Sequence, residues 1–330
     1  MRALVFDGPA GDTSTTRVAD LENPVPGPGE LTIDVVTAGV NFIDVMARRG
    51  DPGYADAWPF VPGLEVAGHV RALGARVDGP PVGTRVAAFV GRGGLAEVAR
   101  AHAALVAPVP DGVDWVPAAA AGGTLVTASL LLHDVARLRV GEHLVVHSAG
   151  GGVGQALAQL APLAGAGRVI GVVGHRERVA PALAAGYDAV LVRDEDVATG
   201  VREATRGCGA DVVLDPLGTT QLELDLALSA PGARIVLYGN ATGGVAGPLP
   251  GAGPLFALNA SIGAFSLSRM AAQIPQRVAG ALQRVLQQLD AGQVTVPAQE
   301  LNGLGAVAEV HDELATGRGS GKRVVRLRTG

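Results

Sequence analysis

Cysteine, aromatic side chains and charge are all scarce in this chain. Its 330 residues include one cysteine, Cys208, which excludes an intrachain disulfide and any cysteine-built zinc site and fits a reducing compartment. Aromatic residues make up 3%, so Val, Leu, Ile and Ala must fill the core. Charged residues make up only 17%, with a net charge of −5. That balance offers no basic field, and nucleic acid is not an expected partner. Gly, Pro or charge interrupts each apolar run before it approaches the length of a membrane span. The opening MRALVFDGPAG has no signal-peptide core. The expectation is a cytoplasmic protein with no membrane partner. What the chain does hold is 48% hydrophobic residues and 48 glycines, a composition that favours a compact globular protein over a disordered one.

Three sections follow one another. Up to about residue 120, short apolar runs such as LTIDVV, AGHVRAL, TRVAAFV and AEVA alternate with turn signals such as PVPGPGE, VDGPPVG and GRGG. Strands this short and this regular predict an antiparallel, barrel-like domain, interrupted by one helix over about Asn41 to Arg49. The period then changes. GEHLVVHSA, GRVIGVVG, AVLV, ADVVLD and ARIVLYG read as buried strands separated by helical stretches such as VGQALAQLAPLAG and RERVAPALAAG. Alternating β and α units predict an open parallel sheet covered by helices, with its ligand at the carboxyl ends of the strands. The last section begins near SIGAFSLSR, continues into a helix over about Pro275 to Ala291 and ends with a strand, GKRVVRLR. It does not extend the βα alternation, so it is expected to complete the first domain.

The stretch VVHSAGGGVGQALAQLA, Val145 to Ala161, joins a strand to a helix through a glycine turn. In the G-x-G-x-x-G pattern for dinucleotide pyrophosphate, the first position falls on Ala149, followed by Gly151 and Gly154. Gly151 and Gly152 let the backbone approach an anion, Val153 follows, and Gly154 lets the helix pack on the strand. The helix N-terminus then offers N–H groups and a positive dipole end. Ala149 is tolerable where φ stays negative. The competing reading is a glycine-rich turn in a glycine-rich protein. An NAD site places a carboxylate about 20 residues on, at the end of the second strand. Here that position is Gly174, followed by His175, Arg176 and Arg178. Guanidinium groups suit a ribose 2′-phosphate, which points to NADPH. The alternative is that Arg176 and Arg178 are merely solvated first-turn residues, with Glu177 as a partner for either.

AGVNFIDVMARRG, VPGLEVAGHV, VGTRVAAF, HSAGGGVG, GARIVLYGN and SGKRVV occur in the order found in zinc-independent NADPH:quinone oxidoreductases of the medium-chain dehydrogenase/reductase superfamily, and the chain resembles that family nearly end to end. The resemblance implies an α/β protein: a GroES-like β-barrel-type catalytic domain over 1–120, completed by 267–330, and a Rossmann doubly wound parallel-sheet domain binding NADP over 121–266. Its loop variant carries alanine where Ala149 stands. Zinc-dependent relatives hold their metal at positions matching Asn41, Leu64 and about Gly123. None of these offers a thiolate or imidazole, so no metal site is expected.

The resemblance further implies hydride transfer to a quinone or an α,β-unsaturated carbonyl, small molecules whose conjugation accepts hydride readily. It puts Asn41 beside nicotinamide and substrate, where the residue also reads as a helix N-cap. Tyr54 becomes a candidate proton donor. Thr127, Gly239, Asn240 and Phe265 fall on the nicotinamide side, and Lys322 and Arg323 near cofactor phosphate. Asp44 and Arg48 read as a structural i,i+4 pair, and His147 as structural. A homodimer through the strand IGAFSLS is also implied. Two other functions stay open: an enoyl reductase or tailoring enzyme acting on a polyketide-like or acyl intermediate, and a dinucleotide-binding protein with little turnover. Replacing Arg176 and Arg178 together by alanine is expected to raise the KM for NADPH far more than that for NADH; an equal rise would refute the 2′-phosphate assignment.

Overall fold

The computed structural model describes residues 1–319 and 321–328. It divides into two compact units: residues 1–126 with the C-terminal portion from Leu267 onward, and Thr127–Ser266.

In the first unit, the sheet order is Ala298–Asn302, Lys322–Arg326, Glu30–Val40, Glu65–Leu73, Arg85–Phe89 and Val106–Pro108, and Val98–His102 also pairs with Glu30–Val40. All neighbours run antiparallel except Ala298–Asn302 beside Lys322–Arg326. A hairpin of Arg2–Phe6 and Thr16–Asp20 lies beside it. With few aromatics available, the core is built from β-branched and leucine side chains, among them Leu31, Ile33, Val35, Val66, Val70, Val86, Leu301 and Val325. β-branched residues suit a pleated, doubly covered surface.

Register in this sheet decides the site. Arg323 lies opposite Val40, so Lys322 falls beside Asn41. Val66 lies opposite Ala38 on the other flank, so Glu65 falls across from Gly39. Three strand ends thereby bring together residues that are far apart in sequence. The helix Phe42–Arg49 starts at Asn41 and ends at Gly50, whose φ of 74° is the left-handed conformation that glycine adopts at low cost. Asp44 does not form the anticipated pair with Arg48. Its carboxylate accepts from the Asn41 N–H (2.8 Å) and the Gly63 N–H (3.0 Å), while the buried Arg48 reaches Asp312 (2.8 Å) and the Gly11 carbonyl (3.1 Å). The N-terminal N–H groups of a helix compete effectively for a carboxylate in the first turn.

The second unit is a six-stranded, all-parallel sheet in the order Ala189–Val192, Val169–Val173, Leu144–His147, Ala210–Asp215, Ser229–Leu237 and Ser261–Ala264. Numbered along the chain, these strands lie 3-2-1-4-5-6, the doubly wound dinucleotide-binding order. Ser261–Ala264, at the start of the section expected to leave the βα alternation, instead continues it as the sixth parallel strand. The order of strand addition reverses between Leu144–His147 and Ala210–Asp215, which makes the carboxyl ends of those strands the expected ligand position. Val145, Ile170, Val172, Val213 and Ile235 form the core with Val197, Val201, Leu222 and Leu228.

One expectation is overturned here. The helical run Trp115–Val135 is 21 residues long and apolar enough to cross a membrane by length and composition. Pro117 does not interrupt it because it sits in the first turn of the helix Trp115–Ala120, where its missing N–H is not needed. Gly122 and Gly123 fall in a π-helical turn, Ala121–Leu125, and a second π turn, Leu131–Val135, follows. It behaves as a core helix: 78% of its most apolar window is buried inside the protein.

Candidate functional site

The first unit holds a buried polar cluster at the converging strand ends. Glu65 is fully buried and Lys322 is 4% exposed. The Glu65 carboxylate accepts from the Asn41 Nδ2 (2.9 Å), the backbone N–H groups of Gly123 (2.8 Å) and Thr124 (2.9 Å), the Thr124 hydroxyl (3.1 Å) and the Lys322 ammonium. Lys322 also donates to Asn41 Oδ1 (2.8 Å) and to the Val40 carbonyl (3.2 Å). Two charges survive burial only when paired and hydrogen-bonded in this way.

Glycine makes the space. A Cβ on Gly39 would lie 2.2 Å from Glu65 Oε1, and one on Gly123 would lie 2.9 Å from Oε2. The π-helical turn at Ala121–Leu125 matters equally: it frees the Gly123 and Thr124 N–H groups to meet the carboxylate. Single π turns of this kind recur at functional sites. Glu65 and Thr124 were not singled out as site residues by the sequence pattern. The signal that marks them is the Gly122–Gly123 pair inside an apolar helix, which costs helix stability and therefore asks for a packing reason.

The three positions matched to zinc ligands do meet. A Cβ on Gly123 would lie 2.3 Å from Leu64 Cδ1, and Asn41 is held on the neighbouring Glu65. These residues do not fit a zinc ion: the space holds a leucine side chain, and the adjacent carboxylate is already neutralised by Lys322. Lys322 was expected near cofactor phosphate, but its register beside Asn41 gives its ammonium carboxylate, amide and carbonyl partners instead. Tyr54, in the turn after the helix Phe42–Arg49, is half-buried and packs against the core. Burial, together with the Asp51 carboxylate, raises its phenol above the usual tyrosine range.

In the second unit, the loop after Leu144–His147 leads into the helix Gly152–Leu163. Strain sits one residue before the expected position: Ser148 has φ of 56°, whereas Ala149 is not in the left-handed region. The Ala149 methyl occupies a slot opened by Gly171, where a Cβ would lie 2.8 Å from it. A Cβ on Gly154 would lie 2.6 Å from the Ala149 carbonyl and 2.7 Å from that of Ser148, so close packing of helix on loop requires glycine there. The Tyr187 hydroxyl donates to the Gly154 carbonyl (2.7 Å), bracing the same turn.

Gly174, His175 and Arg176 are exposed at the end of Val169–Val173. Arg176 pairs with Glu195 rather than Glu177. The Arg178 Cβ lies 3.9 Å from a Cβ built on Gly150, beside the loop. Arg193 is an arginine that sequence spacing did not suggest. One terminal guanidinium nitrogen lies 3.8 Å from a Cβ built on Gly174, and its buried Nε finds no partner among the described residues. It comes from the neighbouring strand, so only sheet order reveals it. Farther along, a Cβ on Gly239 would lie 2.7 Å from the Pro216 carbonyl. The Asn240 amide closes its own turn on the Gly244 carbonyl (2.9 Å). Phe265 is buried, with its N–H on the Leu237 carbonyl (2.8 Å), and Thr127 is half-buried in the helix Val126–Leu130.

His147, Asp215 and Asp225 are fully buried behind this loop. His147 Nε2 lies 2.9 Å from Asp225 Oδ1, and the Leu217 N–H donates to Asp215 (2.6 Å). Burial, reinforced by the Asp225 carboxylate, pushes Asp215 up to about 7.

Comparisons with known proteins cover both units. A family model described as an alcohol dehydrogenase GroES-like domain matches residues 27–111, and one described as a zinc-binding dehydrogenase matches residues 152–286. The quinone oxidoreductase of Pseudomonas aeruginosa is 31% identical over 96% of this chain and 96% of its own length. Human synaptic vesicle membrane protein VAT-1 homolog-like is 38% identical over 73% of this chain and 56% of that protein. A phenolphthiocerol/phthiocerol polyketide synthase component from Mycobacterium tuberculosis is 32% identical over 98% of this chain but 15% of that protein. The chain therefore spans just over half of one of these relatives and a small part of another. A mycobacterial protein solved in complex with NADPH superimposes with a TM-score of 0.88 at 32% identity, covering 99% of this chain and all of the other.

Asp215 also yields a stability test. Its folded-state pKa of about 7 lies above the ordinary aspartate value of 3.8. Its contribution is therefore fully present below 3.8 and is lost as pH rises from there through about 7. Asp215→Asn mimics the protonated acid. Urea unfolding at pH 5 and pH 8 is expected to show a smaller pH-dependent loss for the variant than for wild type; equal losses would contradict the assignment.

Proposed function

This chain belongs to the quinone oxidoreductase family of the medium-chain dehydrogenase/reductase superfamily, and we propose that it is an NADPH-dependent, metal-free reductase of quinones or α,β-unsaturated carbonyls. The observation that carries this reading is a half-buried neutral amide, Asn41, hydrogen-bonded to both members of the Glu65–Lys322 ion pair, whose carboxylate is already occupied by the ammonium. Such a site suits an electrophile that needs no Lewis acid.

The residues fit NADPH. The loop Ser148–Gly154 and the N-terminus of the helix Gly152–Leu163 would receive the pyrophosphate. Arg178 and Arg193, with Arg176, would receive the 2′-phosphate beside Gly174, where the strand end carries no carboxylate. The solved mycobacterial relative with NADPH supports the same choice. When bound, NADPH supplies the hydride. The acceptor's oxygen then gains negative charge, and the Asn41 N–H is the donor that stabilises it. A proton must follow, and Tyr54, whose raised pKa keeps its hydroxyl protonated, is the residue proposed to hold it. Gly239, Asn240, Phe265 and Thr127 are proposed for the nicotinamide side on the family resemblance.

The polyketide synthase match over 98% of this chain favours one second reading, enoyl reduction of an acyl intermediate. NADPH oxidation measured with benzoquinone, naphthoquinones, cyclic enones and enoyl thioesters separates the two. Turnover of quinones or cyclic enones is expected. Turnover of enoyl thioesters alone would move the assignment to the second reading, and NADPH binding without any turnover would defeat both.

We further propose a homodimer through the edge strand Ser261–Ala264. Its side chains are largely exposed, and the adjacent helix Ala252–Leu258 buries none of its residues and leaves Phe256 80% exposed. Light scattering at micromolar concentration should give twice the chain mass; a monomer would contradict it.

A further inference from the structure

We propose that Lys322 is a positioning residue: together with Glu65 it locks the Asn41 amide in one of its two orientations, leaving an Nδ2 hydrogen for the oxygen of the acceptor. This rests on the reductase reading above.

An asparagine amide is nearly symmetric in shape but not in chemistry, and a flip exchanges a donor for an acceptor. The two groups that flank Asn41 admit one answer. Lys322 Nζ, which only donates, lies 2.8 Å from Oδ1. Glu65 Oε1, which only accepts as a carboxylate, lies 2.9 Å from Nδ2. Flipping the amide would set N–H against the ammonium and C=O against the carboxylate, turning two attractions into two repulsions. The Thr124 hydroxyl also lies 3.4 Å from Oδ1, but its one hydrogen goes to Glu65 Oε1 (3.1 Å), so it does not set the orientation.

Nδ2 carries two hydrogens. Glu65 takes one, and the other has no partner among the described residues. Lys322 is placed differently. Each of its three ammonium hydrogens has an acceptor: Val40 O (3.2 Å), Asn41 Oδ1 (2.8 Å) and Glu65 Oε1. It therefore retains no donor for substrate or phosphate and acts through Asn41. A cation on Oδ1 also polarises the amide, which strengthens the remaining N–H as a donor to a developing oxyanion. Glu65 does not need Lys322 for its placement alone, because Gly123 N–H, Thr124 N–H and the Thr124 hydroxyl already hold it.

Removing Lys322 alone would leave a buried carboxylate without its cation and threaten folding, so the test uses the neutral double variant Glu65→Gln/Lys322→Met, checked for a cooperative melt. Its kcat with the best quinone or enone acceptor is expected to fall about 100-fold, the scale of a misplaced catalytic contact. The Kd for NADPH, read by fluorescence titration, should stay within about twofold. Adding Asn41→Ala to the double variant should cost little more, although in wild type Asn41→Ala alone lowers kcat. An unchanged kcat overturns the proposal, as does a further loss from Asn41→Ala of the same size as in wild type. So does an NADPH Kd that rises in step with the kcat loss, which would return Lys322 to the cofactor phosphate.

A second readout does not need turnover. In protein labelled with ¹⁵N-asparagine, the Asn41 side-chain signal, identified by its loss in Asn41→Ala, should show one Nδ2 proton shifted downfield by the carboxylate. Two ordinary amide protons in wild type overturn the lock. If wild type reduces no acceptor, the reductase reading fails while this spectrum still decides the orientation of Asn41.

Discussion

The buried ion pair between Glu65 and Lys322 is the interaction around which the first unit is arranged. Taking a carboxylate and an ammonium out of water costs several kcal/mol for each ion. The surrounding chain offsets that cost with hydrogen bonds rather than with solvent. Lys322 comes from the final strand, and its partner amide lies 281 residues earlier. The pair therefore exists only once the last strand has docked on Glu30–Val40. The polar cluster is complete only with that strand in place.

The same pair explains several local oddities. Gly39 lies near the end of the buried strand Glu30–Val40, where glycine has no side chain to pack, because any Cβ would strike the Glu65 carboxylate. Gly122 and Gly123 lie within an apolar helix because the carboxylate and the Ala88 carbonyl, 2.3 Å from a Cβ built on Gly122, leave no room for a methyl group. The π-helical turn then converts two backbone N–H groups from helix donors into carboxylate donors. Glycine, strand register and helix distortion answer one electrostatic demand.

The loop of the second unit obeys a different constraint, close packing. Gly171 leaves room for the Ala149 methyl, and Gly154 leaves room for the Ser148 and Ala149 carbonyls. The alanine that departs from the glycine fingerprint is accommodated from the neighbouring strand, and the backbone strain passes to Ser148. Beneath the loop, His147, Asp215 and Asp225 are buried in the same layer, with His147 Nε2 2.9 Å from Asp225 Oδ1.

Much was legible in the residues alone. The switch from short alternating strands to βα units follows from hydrophobic periodicity, a local property. The helix start at Asn41, the helix over Pro275–Asp290 and the glycine loop were readable for the same reason. The missing carboxylate at Gly174 was readable because it depends on a fixed spacing along one βαβ unit. The rest depended on register. Nothing local to Glu65, Thr124 or Lys322 states that three strand ends meet, so Lys322 read as a phosphate ligand until its partners were visible. Arg193 was hidden because it reaches Gly174 across strand order, and the apolar run Trp115–Val135 hid its buried character behind glycine and proline. The sequence by itself determined periodicity, turn chemistry and the family of the loop, since these act between near neighbours. Which donor meets which acceptor was decided by tertiary structure, because hydrogen bonds between distant strands are specified by a register that no single segment carries.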